Sequence, residues 1–399
     1  MIEINSRNFW QATLALSLGS VMIFSNIYIP QPLLPTLVDN FAISKLEASW
    51  SITITTFTLA ISLLFYGAMS DALGRKHLML YSMAGVVVFT FMLSFIESYP
   101  AFLLLRALQG FCLGGLPAIA IAYMSDEFSR KALLSAVGFY IAANTLGGIG
   151  GRLAGGFLGE SLDISSIFLV MTLWSLVVVI LFWRLLPPSQ AFTRHPVNIS
   201  KMLTAIRSHL LNPVLLTAYL VGGFNFLIFI NQYSYITFVL ADEPYLLSPF
   251  WLGLLFLTYL SGTLASGISG YLAVRFSQSG AMIMGIVIFM SGTLITLQDS
   301  LFWIISGFFT NAFGFFLCHS QLSSWVSRSA LQNRASASAL YLVFYYLGAS
   351  AGGVYLHPFW EWQAWTGVVT GSLVILCLTL AGCLRLRYYE SKTNRLISS

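Results

Sequence analysis

Twelve long apolar segments follow one another along the sequence, each close to or above the length that spans a bilayer as a helix. They lie at residues 9–36, 46–70, 77–96, 100–124, 132–158, 164–186, 212–240, 249–273, 280–298, 301–326, 335–357 and 362–384. A transmembrane helix needs about 20 mainly apolar residues, whereas a strand of a membrane β-barrel needs about 10. Because the segments are too long and too uniformly apolar for barrel strands, we predict an all-α membrane protein with twelve transmembrane helices.

The composition excludes a water-soluble domain. Of the 399 residues, 57% are hydrophobic and 8% are charged, whereas soluble proteins carry about 25% charged residues. The net charge of +5 comes from cations scattered singly between the apolar segments, which is not the clustered pattern of a nucleic-acid-binding surface. The four cysteines have no spacing typical of a metal site. We expect a monomer in the lipid bilayer, with no cofactor, no metal and no nucleic-acid partner.

The distribution of Lys and Arg predicts the orientation of the chain. If the N-terminus lies inside the cell, 16 of the 19 Lys and Arg residues lie on the inner side, and Lys45 is the one cation in an outer loop. Such an excess of cations in the inner segments is typical of membrane proteins. We therefore predict a multi-pass protein of a bacterial inner membrane with both termini in the cytoplasm.

A hydrophilic stretch near the middle divides the sequence into two halves of six helices. The predicted parts are an N-terminal half at 1–186, a linker at 187–211, a C-terminal half at 212–384 and a cytoplasmic tail at 385–399. The second part of the linker has the pattern of a short amphipathic helix at the inner leaflet. A shift of 203 residues places Gly67 on Gly270 and Gly150 on Gly353, so we predict pseudo-symmetric halves. At this shift Val274 takes the place of Asp71.

A short polar run lies between the second and third apolar segments. It contains one acid, two cations and two glycines, namely Gly67, Asp71, Gly74, Arg75 and Lys76. The run resembles the loop between helices 2 and 3 of the major facilitator superfamily, although Ala72 stands where that family usually has Arg. The resemblance implies a secondary transporter in which this loop is a conformational latch.

Two further patterns resemble the twelve-helix, drug/proton antiporter-like branch of that family. Arg106 and Gln109 are followed by a glycine, as in the family's Arg-x-x-Gln-Gly signature in helix 4, which implies a role in coupling or substrate binding. Small residues at fourfold spacing in the fifth segment allow close helix packing, and they are Gly147, Gly151 and Gly155. The branch has a Gly-Pro-x-x-Gly-Gly pattern there, whereas this chain lacks the proline and has Arg152 in place of a glycine.

Three side chains that carry or gain a positive charge lie inside predicted helices: Arg106, Arg152 and His319. An intramembrane cation costs about 2.5–3.5 kcal/mol on insertion scales and usually faces protein or a watery cavity. We consider both a functional role in coupling or substrate binding and a structural role for each of them. His319 is the candidate proton carrier because imidazole changes charge near physiological pH.

Several uncharged polar residues lie at membrane depth and are candidates for the wall of a cavity, by analogy with family members. They are Asn26, Tyr28, Asn144, Asn225 and Tyr345. Each of them could instead connect neighbouring helices by hydrogen bonds.

We predict proton-coupled export of a small organic compound by alternating access. Transport of an organic anion, such as a carboxylate metabolite or siderophore that binds Arg106 and Arg152, is the alternative, because no carboxylate lies at mid-membrane in the sequence. An intramembrane enzyme is a remote alternative, since the sequence has neither a metal motif nor a visible nucleophile constellation.

Overall fold

The computed structural model describes residues 1–190, 199–330, 332 and 334–398, without the side chains at positions 71, 199, 201, 335 and 393–398. The helices up to residue 190 are α1 Arg7–Tyr28, α2 Leu34–Phe41, α3 Lys45–Leu73, α4 Arg75–Leu93, α5 Tyr99–Leu113, α6 Gly115–Glu127, α7 Arg130–Gly159 and α8 Ile164–Leu185. Those that follow are α9 Ile199–Leu211, α10 Pro213–Ala241, α11 Pro249–Leu254, α12 Tyr259–Phe276, α13 Gln278–Ile295, α14 Leu301–Ser329 and α15 Arg334–Ser398. Short 3₁₀ turns lie at Gln31–Leu33 and Leu255–Thr258.

The predicted all-α architecture with twelve membrane crossings is confirmed. Within the described residues, 11 helical stretches are long and apolar enough to cross a membrane, and the last of them, Ser336–Lys392, is 57 residues long. Its backbone leaves the helical conformation at Gln363 (φ −147°, ψ 35°) and Ala364 (φ 45°, ψ −126°). This break divides the long stretch into two crossings, slightly later in the chain than the sequence pattern suggests.

The first predicted segment lies within one candidate membrane span, Arg7–Phe41, but residues 9–36 do not form one continuous α-helix. Helix α1 ends at Tyr28. A 3₁₀ turn, Gln31–Leu33, follows it, with Pro30 directly before the turn and Pro32 within it. Proline has no N–H group, so Pro30 cannot donate to the carbonyl of Asn26 four residues earlier. The first crossing therefore contains a break, and the carbonyls before it need other donors.

The chain forms two compact units. The first contains Met1–Ile199 and Leu247–Leu254, and the second contains Ser200–Leu246 and Leu255–Ser399. The second part of the predicted linker forms α9, whereas its residues 191–198 lie outside the described part of the chain. In the predicted tail, the last membrane helix continues without interruption to Ser398.

In the first unit, α1 packs closely against the glycine face of α7. A Cβ atom built on Gly147 would lie 2.7 Å from the Cα of Val21, and one on Gly151 would lie 2.5 Å from the Cα of Ser25. One built on Gly155 would lie 2.3 Å from the carbonyl oxygen of Ile29. These distances are too short for any side chain, so the three glycines allow the two backbones to touch beside the break.

Candidate functional site

The latch predicted between helices 2 and 3 lies at a tight turn between α3 and α4. Gly74 connects the two helices with φ 96° and ψ 137°, a conformation that favours glycine over other residues. Gly67 lies one to two turns earlier in α3, and a Cβ built on it would meet no atom within 4 Å. The side chain of Asp71, the acid of the predicted latch, lies outside the described part of the structure.

The two cations of the latch connect this turn to the ends of two other helices. The Nε atom of Arg75 forms an ion pair with Asp126 of α6, and its Nη1 donates to the hydroxyl of Ser70 at 3.1 Å. Lys76 donates to the carbonyl oxygens of Trp183, at 3.2 Å, and of Leu186, at the end of α8. A cation at a helix C-terminus satisfies carbonyls that have no intrahelical partner.

The second unit has a carboxylate at the corresponding turn between α12 and α13, supplied by the C-terminal helix. Val274 occupies the position matched to Asp71 and is 89% exposed. Glu390 of α15 accepts hydrogen bonds from the backbone N–H of Ser279, at 3.2 Å, and from the Ser279 hydroxyl. These groups lie in the first turn of α13, where the helix dipole stabilises a negative charge. Sequence reasoning missed Glu390, because nothing local connects residues 111 positions apart.

Arg106 is fully buried and donates four hydrogen bonds. Its Nη1 and Nη2 atoms donate to the carbonyl oxygens of Asn26, at 3.1 Å, and Ile27, at 3.0 Å, in the last turn of α1. Its Nε donates to the carbonyl of Ser51 at 3.3 Å, and Nη1 also donates to the side-chain oxygen of Gln109. The Asn26 carbonyl is the one that Pro30 leaves without a backbone donor, so Arg106 replaces the missing N–H.

Gln109 and Asn26 extend this buried network to two more helices. The Gln109 amide donates to the Thr90 hydroxyl at 2.7 Å and to the side-chain oxygen of Asn26 at 3.4 Å. The Asn26 amide donates to the Ser175 hydroxyl at 3.0 Å. The network therefore connects α1, α3, α4, α5 and α8 around one guanidinium group. Such a network fixes the helices relative to one another only when its groups are paired.

Arg152 reaches the same break from α7. Its Nε donates to the side-chain oxygen of Gln31 at 2.7 Å, and its Nη1 donates to the carbonyl of Gly148 at 2.8 Å. The guanidinium carbon lies 3.8 Å from the ring centroid of Tyr28, a cation–π contact. Arg152 is 1% exposed, so protein groups rather than water surround its charge. Asn144, two turns away on α7, accepts a hydrogen bond from Ser20 of α1.

His319 belongs to a group of stacked rings in the second unit, which we call the aromatic wall. The wall consists of Phe226, Phe229, Phe315, His319, Tyr341 and Tyr345, which lie on α10, α14 and α15. The Nδ1 atom of His319 shares a 2.8 Å hydrogen bond with the Tyr341 hydroxyl. The imidazole lies parallel to the Phe315 ring, with an interplanar angle of 7°, and its centroid is 4.8 Å from that of Tyr345.

The phenylalanines form the buried backing of this wall. Phe226 stacks on Tyr345 with centroids 3.7 Å apart, and Phe229 stacks on Phe315 with centroids 3.8 Å apart. His319 and Tyr345 remain partly exposed, whereas the three phenylalanines are buried. Because polar groups within a span usually face protein or a cavity rather than lipid, these two partly exposed side chains are candidates for contact with a ligand.

Asn225 of α10 lies beside the wall. Its amide donates to the Phe315 carbonyl at 3.4 Å, and its side-chain oxygen is buried with no hydrogen-bond partner among the described residues. A buried acceptor without a partner costs about 1–3 kcal/mol, so a donor from water or a ligand would be favoured at this place. The described residues contain no group of three or more His, Cys, Asp or Glu that could hold a metal ion.

The structure places most of the predicted site residues in three groups, while Asn144, Gly147, Gly151 and Gly155 lie where α7 packs against the first helix. Asn26, Tyr28, Arg106, Gln109 and Arg152 lie at the break of the first helix, as the described hydrogen bonds and the cation–π contact show. His319, Tyr345 and the adjacent Asn225 lie in or beside the aromatic wall, and the latch residues lie at the turn between α3 and α4. The Pro-Gln-Pro run at residues 30–32 was the overlooked sequence signal for the first group.

Comparison with known proteins gives one consistent result. The family model described as Major Facilitator Superfamily matches residues 16–353. The chain is 34% identical over 378 residues to the MFS-type transporter YybF of Bacillus subtilis (strain 168), covering 94% of each chain. It is 32% identical over 380 residues to the inner membrane transport protein YnfM of Escherichia coli (strain K12), covering 95% of this chain and 91% of that one.

A solved structure with the same fold is that of a bacterial homolog of the human lysosomal transporter Spinster, in an inward-facing and unoccupied conformation. The TM-score is 0.74 over 96% of each chain, with 14% sequence identity. At this identity the likeness concerns the fold alone. Both the sequence relatives and the fold are those of transporters rather than enzymes.

Proposed function

The chain belongs to the major facilitator superfamily, and from that premise we propose that it exports small organic compounds in exchange for protons. The broader statement, that it is a multi-pass membrane transporter of this family, follows from the relatives and the fold. The proposal adds the coupling ion, the direction and the residues that act. The direction is supported by the resemblance of the first half of the sequence to the antiporter-like branch.

The observation that carries the proposal is the position of His319. It lies within α14, and the contacts that the described residues make to its ring come from the uncharged groups of Phe315, Tyr341 and Tyr345. Protonation of His319 would therefore introduce a positive charge where its described neighbours carry none. Such a change of charge shifts the free-energy difference between two conformations of the transporter. Coupling of transport to protons requires such a shift.

We propose that Arg106 and Arg152 position the first helix and do not hold the cargo. Their exposed fractions are 0% and 1%, and the described hydrogen bonds of both side chains all go to protein groups, several of them at the break. An arginine that binds an anionic cargo needs donors free to form a bidentate contact. This argument disfavours the organic-anion alternative in which the two arginines hold a carboxylate.

The turn between α3 and α4 is proposed to act as a latch in the alternating-access cycle. The ion pair of Arg75 with Asp126 and the contact of Lys76 with the end of α8 hold the inner helix ends in the described conformation. Switching transitions commonly break and re-form such pairs. We further propose a monomer in the bacterial inner membrane with both termini cytoplasmic, which the charge asymmetry and the name of the E. coli relative support.

The test uses purified protein in proteoliposomes with an acidic interior. Three probes share one ring system and differ in charge: 2-naphthoate, 2-naphthamide and 2-naphthyltrimethylammonium. We expect at least one probe to accumulate inside as protons leave, and a protonophore to abolish this accumulation. Passive diffusion of the neutral acid would instead move 2-naphthoate to the alkaline side. If the pH gradient accelerates the uptake of none of the three probes, the proposal of proton-coupled export is wrong.

The same probes separate the organic-anion alternative. We expect Arg106→Met and Arg152→Met variants that remain folded to bind the three probes with affinities within about threefold of the wild type, a difference below 1 kcal/mol. Selective loss of 2-naphthoate binding in these variants, with the neutral probe unaffected, would contradict the positioning role and favour an anion carrier.

A further inference from the structure

We infer that the aromatic wall is a binding surface for planar aromatic compounds that carry a hydrogen-bond acceptor. The inference rests on the proposed function for its place in transport, whereas the binding itself is independent of any proton gradient. Three observations lead to it: the stacked geometry, the Nε2 atom of the partly exposed His319, which has no described partner, and the uncharged groups that contact its ring.

The wall presents two partly exposed rings, His319 and Tyr345, on a buried, stacked support. The Phe226–Tyr345 pair has an interplanar angle of 11°, and the Phe229–Phe315 pair has an angle of 3°. His319 continues the second stack, since it is nearly parallel to Phe315. Because the backing rings hold Tyr345 and His319 in place, little side-chain freedom is lost when a flat ligand stacks on them. This arrangement favours a planar ring over a saturated one of the same size.

The hydrogen bond to Tyr341 determines which group His319 offers to a ligand. Tyr341 is 1% exposed, and among the described residues its hydroxyl has the Nδ1 atom of His319 as its one hydrogen-bond partner. If Nδ1 carried the proton in the neutral ring, the phenolic hydrogen would be buried without an acceptor. The favoured neutral tautomer therefore accepts from Tyr341 at Nδ1 and carries its proton on Nε2.

The Nε2 atom of His319 has no hydrogen-bond partner among the described residues, and the imidazole is partly exposed. Since Nε2 bears a hydrogen both in this neutral tautomer and in the protonated ring, the wall offers a donor in both states. The complementary ligand group is an acceptor, such as a carbonyl, carboxylate or phenolate oxygen.

The described contacts to the wall do not provide the charge that would select a cationic ligand. Every described ring or hydrogen-bond contact of His319 is with Phe315, Tyr341 or Tyr345, none of which is a carboxylate. Beside His319, a lipophilic cation would meet aromatic rings and no carboxylate among the described contacts of the imidazole. The acceptor on the ligand, rather than a positive charge, therefore distinguishes the class of compound.

The experiment measures equilibrium binding to the full-length protein in detergent, by isothermal titration calorimetry and without a gradient. The probes are 2-naphthamide, its saturated analogue decahydro-2-naphthamide, and 2-methylnaphthalene, which lacks the acceptor. We expect 2-naphthamide to bind the wild-type protein at least tenfold more tightly than either of the other two. Equal affinities for the aromatic and saturated amides would overturn the inference, and this comparison requires no variant.

Variants then locate the site. Tyr345→Leu and His319→Leu are expected to weaken 2-naphthamide binding at least tenfold, whereas Tyr345→Phe keeps the ring and should bind as the wild type does. Tyr271→Leu, at an exposed tyrosine of α12, is the matched control. Unchanged binding in a folded Tyr345→Leu protein would overturn the assignment to this wall. If Tyr345→Leu fails to fold, hydrogen exchange of the wild-type protein is measured with and without 2-naphthamide. Protection of the wall segments supports the assignment to this wall, and its absence overturns the assignment.

The two proposals can fail separately. Aromatic-selective binding at the wall without gradient-driven uptake would contradict proton-coupled export and leave this inference intact. Gradient-driven uptake of the saturated amide at the rate of the aromatic one would contradict the inference and leave proton coupling intact.

Discussion

Arg106 and Arg152 each lose hydration on burial and recover hydrogen bonds where the first helix breaks. The last-turn carbonyls of a helix have no intrahelical donor, and Pro30 removes the donor that would otherwise reach Asn26. Arg106 supplies that donor, and Arg152 holds Gln31 and Tyr28 on the other side of the break. At the scale of the residue, we therefore propose that both charges serve the interrupted backbone of the first helix beside them.

Replacing Arg106 by Met should destabilise the protein strongly. The change keeps an unbranched side chain but leaves the buried carbonyls of Asn26 and Ile27 without their donor, at a cost of at least about 2 kcal/mol. The measurement is unfolding of the purified protein in mixed detergent micelles. The control is Arg130→Met, at an exposed arginine at the start of α7. If both variants unfold at the same detergent composition, the capping role of Arg106 is wrong.

At the scale of secondary-structure elements, the break in the first helix and the start of α13 both depend on partners that are distant in sequence. Neither a hydropathy pattern nor a helix propensity shows which side chain will donate hydrogen bonds to the carbonyl groups at a break in a helix. The Pro-Gln-Pro run predicts that a break exists, but its partners come from α5 and α7, at positions 80 and 121 residues away. In the same way, the carboxylate at the start of α13 comes from the end of α15, 111 residues later.

A double-mutant cycle between Pro30 and Arg106 tests the explanation of the break. Pro30→Ala restores an N–H that can reach the Asn26 carbonyl, so the Arg106→Met change should cost about 1 kcal/mol less in that background. The free energies of unfolding of both single variants and the double variant give the coupling. Strict additivity would mean that Arg106 does not replace the donor that proline lacks.

Replacing Glu390 by Gln should loosen the C-terminal helix. The carboxylate accepts hydrogen bonds from the Ser279 N–H and hydroxyl. Removing its charge weakens these bonds by about 1 kcal/mol, which raises the population of the locally opened helix end about fivefold. Trypsin cleavage after Arg385 and Arg387 should accelerate accordingly. Glu97→Gln, at an exposed acid between α4 and α5, serves as the control. An unchanged cleavage rate for Glu390→Gln would show that the contact does not hold the helix.

At the scale of the whole molecule, the sequence predicted the fold class because bilayer thickness imposes one length on every crossing. The twelve crossings and the family resemblance could therefore be read from local patterns. The aromatic wall could not, because its rings come from three helices and stack only after folding. The sequence pointed to His319 as an intramembrane histidine, but it contained no sign of the Tyr341 hydrogen bond that fixes its tautomer.

The predicted orientation can be tested by labelling intact cells. In a background without the four cysteines, single cysteines replace Ser161, between α7 and α8, and Ser391, near the C-terminus; both positions are exposed. A membrane-impermeant maleimide should label Ser161→Cys in intact cells and Ser391→Cys only after permeabilisation, because the cations concentrate on the inner side. Labelling of Ser391→Cys in intact cells would reverse the assigned orientation.

The central claim, that His319 couples cargo movement to protons while the arginines hold the helices, is tested most directly by transport in proteoliposomes containing His319→Gln. Two rates are measured with a naphthyl probe that the wild type transports: exchange across the membrane without a gradient, and accumulation driven by an acidic interior. We expect His319→Gln to retain exchange, because Gln keeps a hydrogen-bond donor, and to lose driven accumulation, because it cannot be protonated. Driven accumulation at the wild-type rate in His319→Gln would contradict the claim.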